Sequence, residues 1–285
     1  MSKIVIPETS SIYTTFEQVV NQAKVVILVG LPGVGKSLYV QQLSVMAQQA
    51  GRKVHLLQWD VTRLAFETPE VMAKYPEING ITHAMIRKAV GIWTRGAIVD
   101  WAEKYSSDEH ILIGEATFVG ERLMQLVKIV EDSAENLLSS EQTQFILSVP
   151  TKRVRNLIEE KRAASIANPQ HEHENFDAPP NVLQMLWHEI YKVGYEVGVA
   201  EKSDAQPAYD PDVYRKTYEY LLQHRNSISL SVDEVFQPAG SVYDLSEIVS
   251  HLQATPDEVQ QIMSQLEQDS TVEAVQAKVD RWYEF

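Results

Sequence analysis

The residues with the plainest chemistry are eight in a row: Gly30, Leu31, Pro32, Gly33, Val34, Gly35, Lys36 and Ser37. They fit the spacing Gly, four variable residues, Gly-Lys and Ser or Thr. Glycines let a chain turn sharply with several amide N–H groups converging. Where such a turn opens into a helix, the positive end of the helix dipole points at the same spot, and an anion belongs there. Lys36 then reaches the outer phosphates of a nucleoside triphosphate, and the Ser37 hydroxyl ligates Mg²⁺.

Further along, Asp60 is expected where a strand ends. A carboxylate there can accept the proton of an attacking hydroxyl, although an Asp at a strand end also serves as a turn or helix cap. Arg63, three residues on, can hold a substrate anion or the migrating phosphoryl group. Glu115 ends another strand, where an acid orients Mg²⁺ and its waters; the usual residue is Asp, so contact through water, or with substrate, stays open beside direct ligation. Thr117 and Arg122 could line the same edge. Lys152, Arg153, Arg155, Lys161 and Arg162 crowd one short helix. Arg155 and Arg162 share a face and can neutralise phosphoryl charge, whereas Arg153 points elsewhere; Glu159 and Glu160 offer the alternative of a solvated helix face. Other groups carry less. His171 and His173 lie in a polar loop and read as solvated, Trp187-His188-Glu189 lacks the second His of a zinc-protease helix, and His83 with Arg87 reads as a surface pair.

These side chains need a scaffold. Apolar, β-branched runs predict strands at 24–29, 53–58 (ending at Trp59-Asp60), 110–113 (stopping at Gly114-Glu115), 144–149 and 228–232. Helical periodicity predicts helices at 14–22, 37–50, 80–105, 120–138, 151–164, 181–199 and 211–224, and a helical tail opening at Thr255-Pro256-Asp257-Glu258. The alternation implies an α/β fold, a parallel five-stranded sheet with helices on both faces and ligands at the carboxyl ends of its strands. Residues 165–180 lose the pattern and read as a polar, proline-punctuated lid loop. The expected plan is a nucleotide-binding domain over 1–250, with lid and insert at about 165–226, and an accessory C-terminal helical segment over 251–285 with no chemistry of its own.

Composition narrows the classes. With 285 residues, 44% of them hydrophobic, the chain can bury a full core. No apolar run reaches membrane-span length and no secretory start is visible, so a cytoplasmic protein without membrane contact is expected. The absence of cysteine excludes disulfides and thiolate metal sites. A formal net charge of −14 disfavours duplex nucleic acid and, less strongly, a polynucleotide end as substrate.

In order, the phosphate loop, Asp60 with Arg63, Glu115, and Val149-Pro150 leading into the helix of Arg155 and Arg162 resemble the P-loop kinases that phosphorylate hydroxyl groups. In phage-type polynucleotide kinases an Asp at the second strand's end is the base and an Arg three residues on grips a substrate phosphate; Asp60 and Arg63 match that spacing. Zeta-toxin-like kinases place an Asp, a strand-end Glu and a Val-Pro helix with arginines comparably to Asp60, Glu115, Pro150 and Arg155. The resemblance covers about residues 24–165 and implies the P-loop NTPase fold, with ATP and Mg²⁺ as cofactors. It further implies transfer of the γ-phosphate to a hydroxyl of a small metabolite or nucleotide-like substrate. Lys36, Asp60, Arg63, Arg155 and Arg162 are then catalytic, and Ser37 and Glu115 meet the metal. The alternatives are a nucleotide-hydrolysing P-loop ATPase switch and a non-catalytic nucleotide-binding module; no Asn-Lys-x-Asp guanine-reading motif is present. Oligomeric state does not follow from these residues.

Overall fold

Five consecutive residues, Val25 to Val29, have no exposed surface at all. A run buried on both faces belongs at the centre of a parallel sheet, and β1 (Val25–Val29) lies there, between β3 (His110–Ala116) and β4 (Thr143–Pro150). With β2 (Lys53–Gln58), β5 (Ser227–Val232) and β6 (Ser250–His251), the order across the sheet is β5-β4-β1-β3-β2-β6, and every pairing is parallel. The computed structural model describes residues 3–78, 80–167, 180–203, 206–237, 241–242, 245 and 248–285, with only the backbone at 162–167.

Alternate residues of each strand feed two cores. Val25, Ile27 and Val29 join Leu57, Leu112 and Leu147 under α5 (Ala84–Lys104), α8 (Pro180–Glu196) and α9 (Pro211–Leu221). Val26 and Leu28 join Ile113 and Ile146 under α1 (Ser11–Gln22) and α2 (Lys36–Gln49). The period of two along a strand dictates that division.

Several expectations are corrected. The sheet has six strands rather than five; β6 is two residues long, paired through His55 and Ser250, too short to show a period. Trp59-Asp60 is not strand end but the start of α3 (Trp59–Phe66), which is followed by α4 (Pro69–Lys74). β3 runs on through Glu115 to Ala116. The helix expected over 120–138 is a single 3₁₀ turn at Met124–Leu126 and then α6 (Ser133–Leu138), capped by the Asp132 carboxylate. Positive φ at Phe118, Gly120, Glu121 and Leu123 prevents a helix from forming earlier. α7 (Lys152–Ala167) carries the basic cluster.

The tail forms α10 (Pro256–Asp269), opened by a capping box between Thr255 and Glu258, and α11 (Val272–Asp280). Both pack on α5, and Val259, Met263, Val275 and Trp282 belong to the larger core. Residues 168–179 of the expected lid lie outside the described residues. Among the described residues, no helix is long and apolar enough to cross a membrane.

Candidate functional site

The glycine turn leaves β1 with Gly30 at φ 136°, Gly33 at 74° and Gly35 at 88°, conformations that L side chains rarely adopt. Space matters as much at Gly30, where an added Cβ would stand 2.4 Å from the Tyr214 hydroxyl oxygen. That hydroxyl accepts a hydrogen bond from the Leu31 amide at 3.1 Å, from a side chain with no exposed surface. Burial pushes the Tyr214 phenol pKa well up, so it stays neutral. Arg155 braces the turn from its other side: Nη1 donates to the Pro32 carbonyl at 3.0 Å and Nε to Glu159 at 2.6 Å. Arg155 is 1% exposed, so in this arrangement its guanidinium is engaged in holding the loop.

α2 starts at Lys36 on the N-cap Gly35, with no capping side chain and no acid in its first turn. A helix start of this kind can receive an anion such as a phosphate. Lys36 is buried; its Nζ donates to the Leu31 carbonyl at 2.9 Å and lies 3.8 Å from Glu115 Oε1. Ser37 Oγ donates a long hydrogen bond, 3.5 Å, to Glu115 Oε2. Strand register explains the meeting: Glu115 pairs with Leu28 on one side and Gln58 on the other, one residue short of the level at which β1 ends. Lys36, Ser37 and Glu115 therefore come together, and Ser37 with Glu115 presents hard oxygen donors of the kind Mg²⁺ takes.

Asp60 lies two residues beyond Gln58, in the first turn of α3, with its side chain 71% exposed and 3.9 Å from Arg63 Nη2. Arg63 gives its Nη1 to Glu67 at 2.6 Å, while its buried Nε has no hydrogen-bond partner among the described residues. Arg122 joins this group. Burial, with Arg87 and Arg63 nearby, lowers its pKa to about 10 against the opposing pull of Asp60. Arg87 is buried rather than part of a surface pair, and donates to the Gly120 carbonyl at 2.5 Å. His83, its expected partner, instead caps α5 by accepting from the Met85 amide at 3.2 Å.

Of the remaining candidates, Thr117 offers its carbonyl to the Tyr218 hydroxyl at 2.7 Å. Lys152 pairs with Asp210 at 3.5 Å, and Arg153 donates to the Asp233 carbonyl. The side chain of Arg162, with His171 and His173, lies outside the described residues. Among the described residues, no three His, Asp or Glu side chains gather as a metal cluster.

Next to Arg87 and Arg122 opens a cavity of about 650 Å³. It contains no residue of the glycine turn. Arg122 is the link, since it both lines the cavity and feels the charges of Asp60 and Arg63. α5, α8, α11 and the loop after β3 supply the walls. Sequence reasoning missed Tyr214, whose only signal is an aromatic pair with Tyr218 at helical spacing, and it missed α11 as a cavity wall.

The chain is an α/β protein with a parallel sheet, compatible with a P-loop fold. No protein-family model matches it, and no curated protein matches it in sequence.

Proposed function

We propose that the protein is an ATP-dependent phosphotransferase that moves the γ-phosphate to a hydroxyl of a small metabolite or nucleotide-like substrate. The observation that carries the reading is the meeting of Lys36, Ser37 and Glu115 at the carboxyl end of β1, beside an uncapped helix start. Bound ATP would supply the phosphoryl group, and Mg²⁺ would offset its charge. The loop amides and Lys36 bind the phosphates; Ser37 and Glu115 hold the metal, Glu115 directly or through water.

Asp60, exposed beside Arg63, takes the proton of the acceptor hydroxyl. Arg63 and Arg122 set a positive potential where charge develops on the phosphoryl oxygens. Arg155 acts by holding the turn in shape through Pro32. A small acceptor suits the cavity and the net charge better than a polynucleotide end does.

The test is incubation with γ-labelled ATP and a panel of hydroxyl compounds, comparing wild type with Asp60→Asn and Lys36→Ala. Label should move to an acceptor, fall by on the order of 10²-fold or more in Asp60→Asn, and vanish in Lys36→Ala. Phosphate released to water at a rate indifferent to Asp60→Asn would replace the kinase with a hydrolytic switch. ATP binding without turnover would leave a nucleotide-binding module.

A further inference from the structure

The cavity has a charge pattern of its own. Its buried floor includes Arg87, Leu186, Val279 and Trp282, while Glu189, Lys192 and Asp280 stand exposed at its rim. Arg87 is 9% exposed and its Nε, among the described residues, has no hydrogen-bond partner. A buried guanidinium donor without an acceptor is costly, and Arg87 keeps a positive charge beside the cavity it lines.

The loop that delivers the second arginine is strained. Phe118, Glu121 and Leu123 sit at φ 47°, 70° and 57°, left-handed values for non-glycine residues, with Gly120 at 59° among them. These reversals split the side chains. Phe118 and Leu123 go into the core; Glu121 is buried against Lys88 at 3.0 Å and Lys128 at 3.4 Å. Arg122 lines the cavity with Val119 and Gly120, so close to Arg87 that a Cβ on Gly120 would lie 2.9 Å from Arg87 Nη1 and 3.4 Å from Arg122 Nη1. Glu121 is shared between two lysines and Arg87, and Asp280 acts on Arg87 less strongly than Glu121 does.

We propose that this cavity binds a small phosphomonoester, a sugar or polyol phosphate, with its phosphate between Arg87 and Arg122 and its hydroxyls toward Glu189. Two guanidinium forks match the several oxygens of a phosphate better than a single carboxylate does. The volume, about 650 Å³, is in the range of small-molecule sites. Delivery of one hydroxyl toward Asp60 rests on the phosphotransferase reading; the anion site itself does not.

Calorimetric titration of the full chain tests it. A Lys36→Ala background silences phosphate binding at the glycine turn, and the probes are ribose 5-phosphate, inorganic phosphate, ribose and acetate. Ribose 5-phosphate and inorganic phosphate should bind, ribose and acetate much less, and adding Arg122→Gln should weaken ribose 5-phosphate on the order of tenfold or more. No saturable binding, or binding indifferent to Arg122→Gln, overturns the proposal. Should circular dichroism show that Arg122→Gln does not fold, Asp280→Asn decides. Loss of the acid beside Arg87 should tighten ribose 5-phosphate about two- to fivefold, and unchanged or weaker binding overturns the proposal. A failed label-transfer experiment would sink the phosphotransferase and leave this result standing; failed binding here would leave transfer standing.

Discussion

Gly30→Ala should be among the most damaging single-methyl additions to this chain, and the structure says how to prove why. Two costs add at that position. The backbone φ of 136° strains any residue with a Cβ, at about 1–3 kcal/mol. The new methyl carbon would also meet the Tyr214 hydroxyl at 2.4 Å and Val34 Cγ2 at 3.0 Å, and overpacking of this kind costs a further 1–3 kcal/mol or so. Tyr214→Phe alone should cost about 1–3 kcal/mol, because the Leu31 amide loses its buried acceptor. In the double variant the hydroxyl clash is gone while the backbone strain and the orphaned amide remain. The two losses should therefore fall short of adding by roughly 1–2 kcal/mol. Urea unfolding of the four proteins, with m values compared to confirm a common denatured state, measures the cycle. A Gly30→Ala loss below about 0.5 kcal/mol, or strict additivity, would refute the close approach of Tyr214 to the turn.

Arg155→Lys should cost roughly 3 kcal/mol in the same assay, since an ammonium cannot serve both Pro32 and Glu159 from this buried position, and should weaken ATP binding as the turn loosens; a change within experimental error would show the brace to be dispensable. Acid sensitivity should centre on His55, which bonds Ser250 and His110 in the interior and has its pKa lowered to about 4, first by burial and then by His110, Lys24 and Lys104. A depressed histidine pKa means the unfolded chain binds the proton more readily. Its contribution is therefore intact above the ordinary value near 6.5 and is lost as pH falls from there toward 4, by at most about 3 kcal/mol. Urea midpoints at pH 7.5 and 4.5 should differ more in wild type than in His55→Gln, and equal differences would clear His55 of that role. Removing α11 should strip Val275, Val279 and Trp282 from the core and open the cavity, so truncation after Asp269 should lower stability by several kcal/mol; an unchanged urea midpoint would show the core to be complete without α11.

Much of the central scaffold was legible because local chemistry dictates it. Runs such as Val-Val-Ile-Leu-Val can be satisfied only as a buried strand, and β2 has the expected bounds, 53–58. What failed were stretches whose conformation is set from outside. The segment after β3 has enough helical residues to suggest a helix, yet its backbone is bent by left-handed residues that place Glu121 and Arg122 on opposite sides. Asp60 was legible as an acid near the end of β2, but its place in the first turn of α3 follows from how that helix packs on α5 and α10.

By itself the sequence determined the glycine turn, since glycine spacing and the positions of Lys36 and Ser37 at the start of α2 are all local. It also put Glu115 near the end of β3, and parallel register with β1 brings that carboxylate beside Lys36 and Ser37. Only the tertiary structure decided that Tyr214, 183 residues from Leu31, closes the back of the turn. It likewise decided that Arg155 is spent on holding that turn, and that Arg87, Arg122 and the tail surround one cavity. Those contacts join residues far apart in the chain through packing, which carries no period or spacing in the sequence for a reader to find.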